Sequence, residues 1–397
     1  MTRPIQFTRR EAIQLLGAST ACGVGTVLSE QLGFAQGAGW VTARRGSPRF
    51  PNGAVIRTVL KDVKPDALGS GATMFHEHVT MNYSSPPPPQ RGQGAGAPGA
   101  GAGRGDGAAA PLAPGQRPPL TTSIDLMTEE MRQAGYDGLA GIVDANASGS
   151  IGHTDAEVDF IKQLATRVPN VHFIVAGGPF KAPYAPDVVR QSVEELTDQL
   201  VSASARQRWG AFGEIGTSME MTADERKVLT AIAKGHVRTG VPIFTHTEHE
   251  GCPKCALDQL DLFESQGVDL KHLVIGHLTD IAPGSEPTGQ TAKAIAKRGA
   301  FIGFDTTGHQ MAASSNPEAG KVKLVLEVLN AGYEDNLMLS ADFTQSPQLK
   351  ANWGNGFSTV LVQFVPKLKY AGVKDETLHK ILVDNPRRFL AFVPKMP

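Results

Sequence analysis

The sequence predicts an α/β fold, a closed (β/α)8 barrel, and three observations carry that reading. Beyond residue 120, short apolar β-type runs alternate with amphipathic helical segments, which argues for a parallel sheet. The residues closing those runs, Asp144, Gly178, Glu214, His246, His277, Asp305 and Asp342, are spaced at intervals of 34, 36, 32, 31, 28 and 37. With the run Ala72–Phe75 there are eight such strands, the number that closes a barrel. A doubly wound open sheet is the alternative, and no glycine-rich phosphate fingerprint supports it.

The expected strands are Ala72–Phe75, Leu139–Val143, Val171–Ala176, Ala211–Ile215, Pro242–His246, His272–His277, Ala300–Asp305 and Leu337–Asp342, with a short extra strand at Val55–Leu60. Helical segments between them are Asp155–Arg167, Pro186–Arg206, Ala223–Thr239, Ala256–Gln266, Thr291–Arg298 and Lys321–Ala331. One interval is long: His78 to Asp144 spans 66 residues. The stretch from Ser84 to Pro119 accounts for it, with nine prolines and nine glycines among 36 residues. Half Pro and Gly, it cannot bury a core and is expected to be disordered. Subtracting it leaves 30, close to the other intervals. The barrel domain is therefore placed at residues 50–395, with an insertion at 84–119.

Composition removes several function classes. The 397 residues are 41% hydrophobic, enough for a sizeable core, and carry a formal net charge of -1. That balance gives no electrostatic case for nucleic acid. No apolar run reaches the roughly 20 residues of a membrane-spanning helix, and three cysteines exclude a disulfide-built scaffold. The first 36 residues read as a Tat-type signal peptide: Thr8-Arg9-Arg10-Glu11 precedes the mildly apolar Ala12–Leu28, and Leu32–Gln36 offers small residues for cleavage. That predicts export to the periplasm or beyond, with the Tat machinery as a transient partner.

Chemistry gathers at the strand ends. In His76-x-His78, residues i and i+2 share one face of a strand. Glu214, His246, His277 and Asp342 close four further strands. In a barrel of this class, functional residues lie at the C-terminal ends of the strands, so four imidazoles and two carboxylates converge on one mouth. Such a donor set suits two borderline divalent cations, zinc first, with Mn2+, Co2+ or Fe2+ as alternatives. Glu214 is the candidate to bridge them.

The motifs Phe75-His-Glu-His78, Gly213–Ser218, Pro242–Thr247, Ile275-Gly-His277, Ser340-Ala-Asp342 and Asn385–Leu390 resemble the phosphotriesterase family of the amidohydrolase superfamily, in its phosphotriesterase homology protein branch. The resemblance covers about Val55 to Val393. It implies that His76, His78 and Asp342 hold one ion and His246 and His277 the other. Glu214 stands where the best-known members carry a carboxylated lysine. It further implies a hydrolase in which a hydroxide between the ions attacks a phosphorus or carbonyl centre and Asp342 takes up the proton. In the phosphotriesterases proper that proton passes through a histidine after strand seven to an acid after strand six. Asp280 matches the acid, but Thr306 stands where the histidine would be. The expected substrate is a small molecule with an ester-type bond: a lactone, a carboxylic ester or a phosphoester, with phosphotriesters turned over more slowly. An amidase or deaminase of the same superfamily, or a non-catalytic barrel used as a binding module, are the alternatives.

Around the mouth, Phe180, Tyr184, Thr306 and Trp353 are expected to meet substrate. His249 reads as an exposed polar side chain, and His309 as a loop residue of undetermined direction. His153, His172, His236, His272 and His379 read as structural. Cys252-Pro-Lys-Cys255 is expected to form a local disulfide in an exported protein. A second copy of the chain, forming a homodimer, remains an open partner.

Overall fold

The structure is a computed structural model that describes residues 48–80, 123–281, 285–309 and 316–395. The signal peptide expected at 1–36, with Cys22, and the insertion expected at 84–119 lie outside the described residues. Two short strands, β1 (Ile56–Arg57) and β2 (Asp62–Val63), pair as an antiparallel hairpin. Eight more follow: β3 (Ala72–Glu77), β4 (Leu139–Asp144), β5 (His172–Gly177), β6 (Trp209–Gly216), β7 (Ile243–His246), β8 (Leu273–Ile275), β9 (Phe301–Phe304) and β10 (Leu337–Leu339). They form one parallel sheet in sequence order.

The last and first of these strands meet through side chains as well as backbone. His76 N–H donates to Ser340 Oγ at 3.1 Å, and Asp342 N–H donates to His76 O at 3.2 Å. Glu77 adds three contacts, with Oε1 accepting from Ala341 N–H and Ser340 Oγ–H and Oε2 from Phe343 N–H. A buried carboxylate thus satisfies the backbone groups where regular pairing stops. Phe389, near the C-terminus, packs edge-on against Phe75 and Phe301.

Helices cover the sheet, each burying apolar residues, and several start at a side-chain cap. The first, α1 (Ile124–Tyr136), has Ser123 as its N-cap and was not foreseen. After α2 (Asp155–Arg167), the segment expected as one helix from Pro186 to Arg206 divides into α3 (Pro186–Arg190) and α4 (Val193–Arg206). The cause is a capping box: Ser192 Oγ accepts from Glu195 N–H while Glu195 returns to the Ser192 backbone, so a helix start intervenes. Then come α5 (Ala223–Thr239), α6 (Pro253–Ser265), α7 (Gln290–Arg298) and α8 (Glu318–Asn330).

Three strands, β8, β9 and β10, stop short of the residues expected to close them, His277, Asp305 and Asp342. His277 and Asp342 lie beyond β8 and β10, with left-handed φ of 56° and 51°. Non-glycine residues rarely adopt that region, and where they do the surroundings must hold them there. Both turn inward to the same cluster.

Candidate metal centre

All six residues expected as ligands come together, none more than 5% exposed. Glu214 stands at their centre. Its Oε2 lies 2.9 Å from His246 Nδ1 and 3.1 Å from His76 Nε2, and its Oε1 lies 3.3 Å from His78 Nε2. Asp342 Oδ1 lies 3.1 Å from His78 Nε2, and His277 Nε2 faces His246 Nδ1 at 2.7 Å. Among the described residues three groups have metal-site spacing: His76 with His78 and Asp342, His76 with Glu214 and His277, and His246 with His249 and His277.

A residue absent from the expected set orients two of these ligands. Asp305 Oδ2 accepts from His76 Nδ1 at 2.9 Å, and its Oδ1 accepts from His277 Nδ1 at 3.0 Å and from His277 N–H at 2.7 Å. With both Nδ1 protons fixed on Asp305, both Nε2 lone pairs face Glu214. That is how an outer carboxylate fixes the tautomer of a metal-binding histidine. His76 Nε2 is fully buried and, despite its closeness to Glu214, makes no hydrogen bond of acceptable geometry. An orphaned lone pair among carboxylates and imidazoles fits a cation.

Protonation reflects the same need for positive charge. Burial disfavours imidazolium at His76 and His78, but Glu214, Asp305 and Asp342 outweigh it and raise them to about 9 and about 10. Burial also opposes charge on Glu214, yet His76 and His246 hold it well below the usual carboxylate range. His246 is pushed down to about 3 by burial and by His277. Without a cation, then, protons on His76 and His78 occupy the charge-balancing role at neutral pH. A cation must displace them, so apparent affinity rises with pH and levels off above about 10. Calorimetry at pH 7 in buffers of different ionisation enthalpy is expected to show release of more than one proton per chain on zinc binding. Release independent of pH between 7 and 10.5 would contradict these raised values.

His249 is a correction. It is half-buried, its ring 4.3 Å from that of His277 and 5.1 Å from that of His246. Its Nδ1 lies 2.8 Å from Asp280 Oδ2 and its Nε2 lies 3.8 Å from Asp342 Oδ2. Gly251 explains the placement. At φ 84°, a Cβ there would come within 2.7 Å of Ile281 Cα, so the loop after β7 lies directly on the Asp280 loop. Thr306 is no loop contact either. Buried, it donates Oγ1–H to Asp280 Oδ1 at 2.7 Å, accepts from Thr279, and receives Lys321 Nζ on its backbone carbonyl.

Of the other expected contacts, Phe180 meets the cluster, its ring edge-on to His246 at 4.8 Å. Tyr184 is buried with an unpartnered hydroxyl, and burial together with Glu225 and Asp224 raises its phenol. Trp353 is a second correction: it is 99% exposed and walls nothing among the described residues. His309 Nε2 pairs with the Ala341 carbonyl beside Asp342. His172, His236 and His272 bond backbone carbonyls. His153 lies 3.6 Å from Asp144, and His379 lies 3.6 Å from Asp384. Cys252 and Cys255 are joined as a disulfide at the start of α6.

With this geometry in place, the comparisons decide the family. The phosphotriesterase family model matches residues 54–390. The chain belongs to the phosphotriesterase family, and it is a hydrolase. An N-acetyltaurine hydrolase from Danio rerio is 28% identical over 354 residues, covering 85% of this chain and 98% of its own. A resiniferatoxin-binding protein from Rhodobacter sphaeroides has a TM-score of 0.68 at 28% identity, over 85% of this chain and 94% of that one. The phosphotriesterase homology protein from Escherichia coli, solved with phosphate in its active site, shares the fold with a TM-score of 0.62 at 23% identity, over 83% and 100%. Two-metal dependence is a property of this family, and the cluster supplies donors for it.

Proposed function

We propose that the chain is an exported hydrolase that uses two divalent ions, zinc first, to cleave a carboxylic ester-type bond. The observation that carries the reading is Glu214, set between the His76–His78–Asp342 group and the His246–His277 pair. When bound, such a pair of ions supplies a water acidic enough to be nucleophilic near neutral pH and polarises the oxygen of the scissile group. The chain's residues do the rest. Asp342 Oδ1 is taken by His78, which leaves Oδ2 to receive a proton. His249 Nε2 stands 3.8 Å from that oxygen, with Nδ1–H anchored on Asp280 and Asp280 anchored by Thr306. Once a small side-chain shift closes that gap to hydrogen-bond distance, a proton on Asp342 can pass to His249 Nε2 and return to the leaving group. The imidazole absent at position 306 is supplied from the loop after β7. Thr306 therefore does not by itself interrupt the route from Asp342 to Asp280.

Amide cleavage is the second reading, favoured by two observations. An amine must be protonated to leave, and His249 is placed to return that proton. The relative from Danio rerio acts on N-acetyltaurine, an acyl amide. Steady-state kinetics on matched acetate esters, lactones, acetamides and aryl phosphotriesters tests both readings. The best acyl substrate is expected to exceed every phosphotriester in kcat/KM, and a phosphotriester well above all of them would overturn the acyl assignment. His249→Asn is expected to lower amide kcat by about 10²–10⁴-fold and that of an ester with a phenoxide leaving group by less. Equal losses on both would remove His249 from leaving-group protonation. Export is supported by the Cys252–Cys255 disulfide, which fits an oxidising compartment. Changing Arg9 and Arg10 together to lysine is expected to retain the protein in the cytoplasm, and undiminished export would remove the Tat assignment.

A further inference from the structure

Three side chains converge on the bare α-carbon of Gly216 at the end of β6. A Cβ placed there would come within 3.3 Å of His246 Cδ2, Phe180 Cε2 and Lys181 Cβ. Phe180 packs its ring on His246, so Lys181 leaves the backbone beside an imidazole of the cluster. From there its Nζ reaches Glu248 Oε1 at 2.8 Å, and it lies 5.8 Å from the Phe180 ring centroid. Glu248 itself sits between the β7 strand end and His249. The ion pair therefore stands at the rim of the site, tied to two loops that carry its residues.

An ammonium carries three N–H donors, and Glu248 takes one. The two side chains are 22% and 19% exposed, so solvent reaches both. Ion pairs open to solvent stabilise little, and exchanging the Glu248 carboxylate for an anionic group on a ligand is correspondingly easy. A lysine held next to a cluster imidazole but not consumed by the cluster is suited to receive such a group.

We propose that Lys181 sets the substrate class: an acyl ester or amide that carries a single acidic group, a sulfonate or carboxylate, a short spacer away from the scissile carbonyl. The inference rests on the acyl-hydrolase reading above and adds the charge of the non-reacting end. Pairing at that end holds substrate and transition state alike, so its loss belongs in KM more than in kcat.

Two matched pairs of probes test it with the zinc-loaded full chain. N-Acetyltaurine against N-acetylethanolamine compares acidic and neutral amides; 4-acetoxybenzenesulfonate against phenyl acetate does so for esters. The wild-type protein is expected to prefer the acidic member of a pair it cleaves by about tenfold or more in kcat/KM. Lys181→Met is expected to bring that ratio near one, chiefly through KM, and Lys181→Arg to restore most of it. Inhibition by ethanesulfonate, a fragment with no scissile bond, is expected to weaken about tenfold in Lys181→Met. A wild-type ratio near one, or a ratio and ethanesulfonate inhibition unchanged in a folded Lys181→Met protein, would overturn the role of Lys181 and leave the acyl reading standing. Cleavage of none of the four probes would bring down the acyl reading itself, and this inference with it.

Discussion

Glu214→Ala is expected to release at least one ion per chain and to lower kcat/KM by about 10²–10³-fold, the scale on which a preorganised electrostatic partner acts. Of the two candidate ligand carboxylates, Glu214 alone lies within 3.3 Å of imidazoles from both groups, reaching His76 and His78 on one side and His246 on the other. Its position is tightly determined from below. A Cβ on the preceding Gly213 would fall 2.2 Å from the Phe244 ring, so the strand carries Glu214 only because its neighbour is glycine. The substitution also removes one of the anions that hold His76 and His78 protonated in the metal-free chain, so proton release on zinc binding at pH 7 should shrink with it. Metal content by mass spectrometry, read beside kcat/KM, checks the expectation. A variant with two ions and wild-type activity would sink it.

Asp305→Asn is expected to have the next largest effect, although Asp305 touches no ion-facing lone pair. Its two oxygens accept from His76 Nδ1 and His277 Nδ1, ligands offered from different strands. An amide has only one oxygen, and its NH2 group cannot accept from the second Nδ1–H. One imidazole must then turn or change tautomer, moving its proton onto the nitrogen that faces Glu214. Loss of such an outer partner weakens metal binding by about 10–100-fold. Competition against a chromophoric chelator measures this directly, and zinc affinity within threefold of the wild type would remove Asp305 from its bracing role.

Much of this was legible in the sequence because the barrel repeats one physical unit eight times. Each strand is an apolar run closed by a functional residue, and the 28–37-residue spacing places successive closings at one end of the sheet. That regularity, together with the ligand chemistry of the side chains and the motifs around them, pointed to His76, His78, Glu214, His246, His277 and Asp342. Asp305 closed its run just as visibly, but nothing local distinguishes a ligand from the carboxylate that orients one. His249 was misread because strand periodicity stops at His246. Where the following loop goes depends on Gly251 lying against the Asp280 loop, a contact between segments 30 residues apart. Trp353 failed for the same reason: an aromatic in a loop has no parity to say which way it faces. The broken helix was legible in principle, since Ser192-Val-Glu-Glu195 is a capping box, and the apolar periodicity across it hid the signal. His277 and Asp342 were placed within strands because periodicity does not report a left-handed turn.

The account depends on two ions sharing Glu214. Anomalous diffraction at the zinc absorption edge, from crystals of active protein, tests that most directly. Two peaks are expected, one among His76, His78 and Asp342, the other beside His246 and His277, with Glu214 reaching both. A single peak in fully active protein, or two peaks that Glu214 does not join, would contradict it.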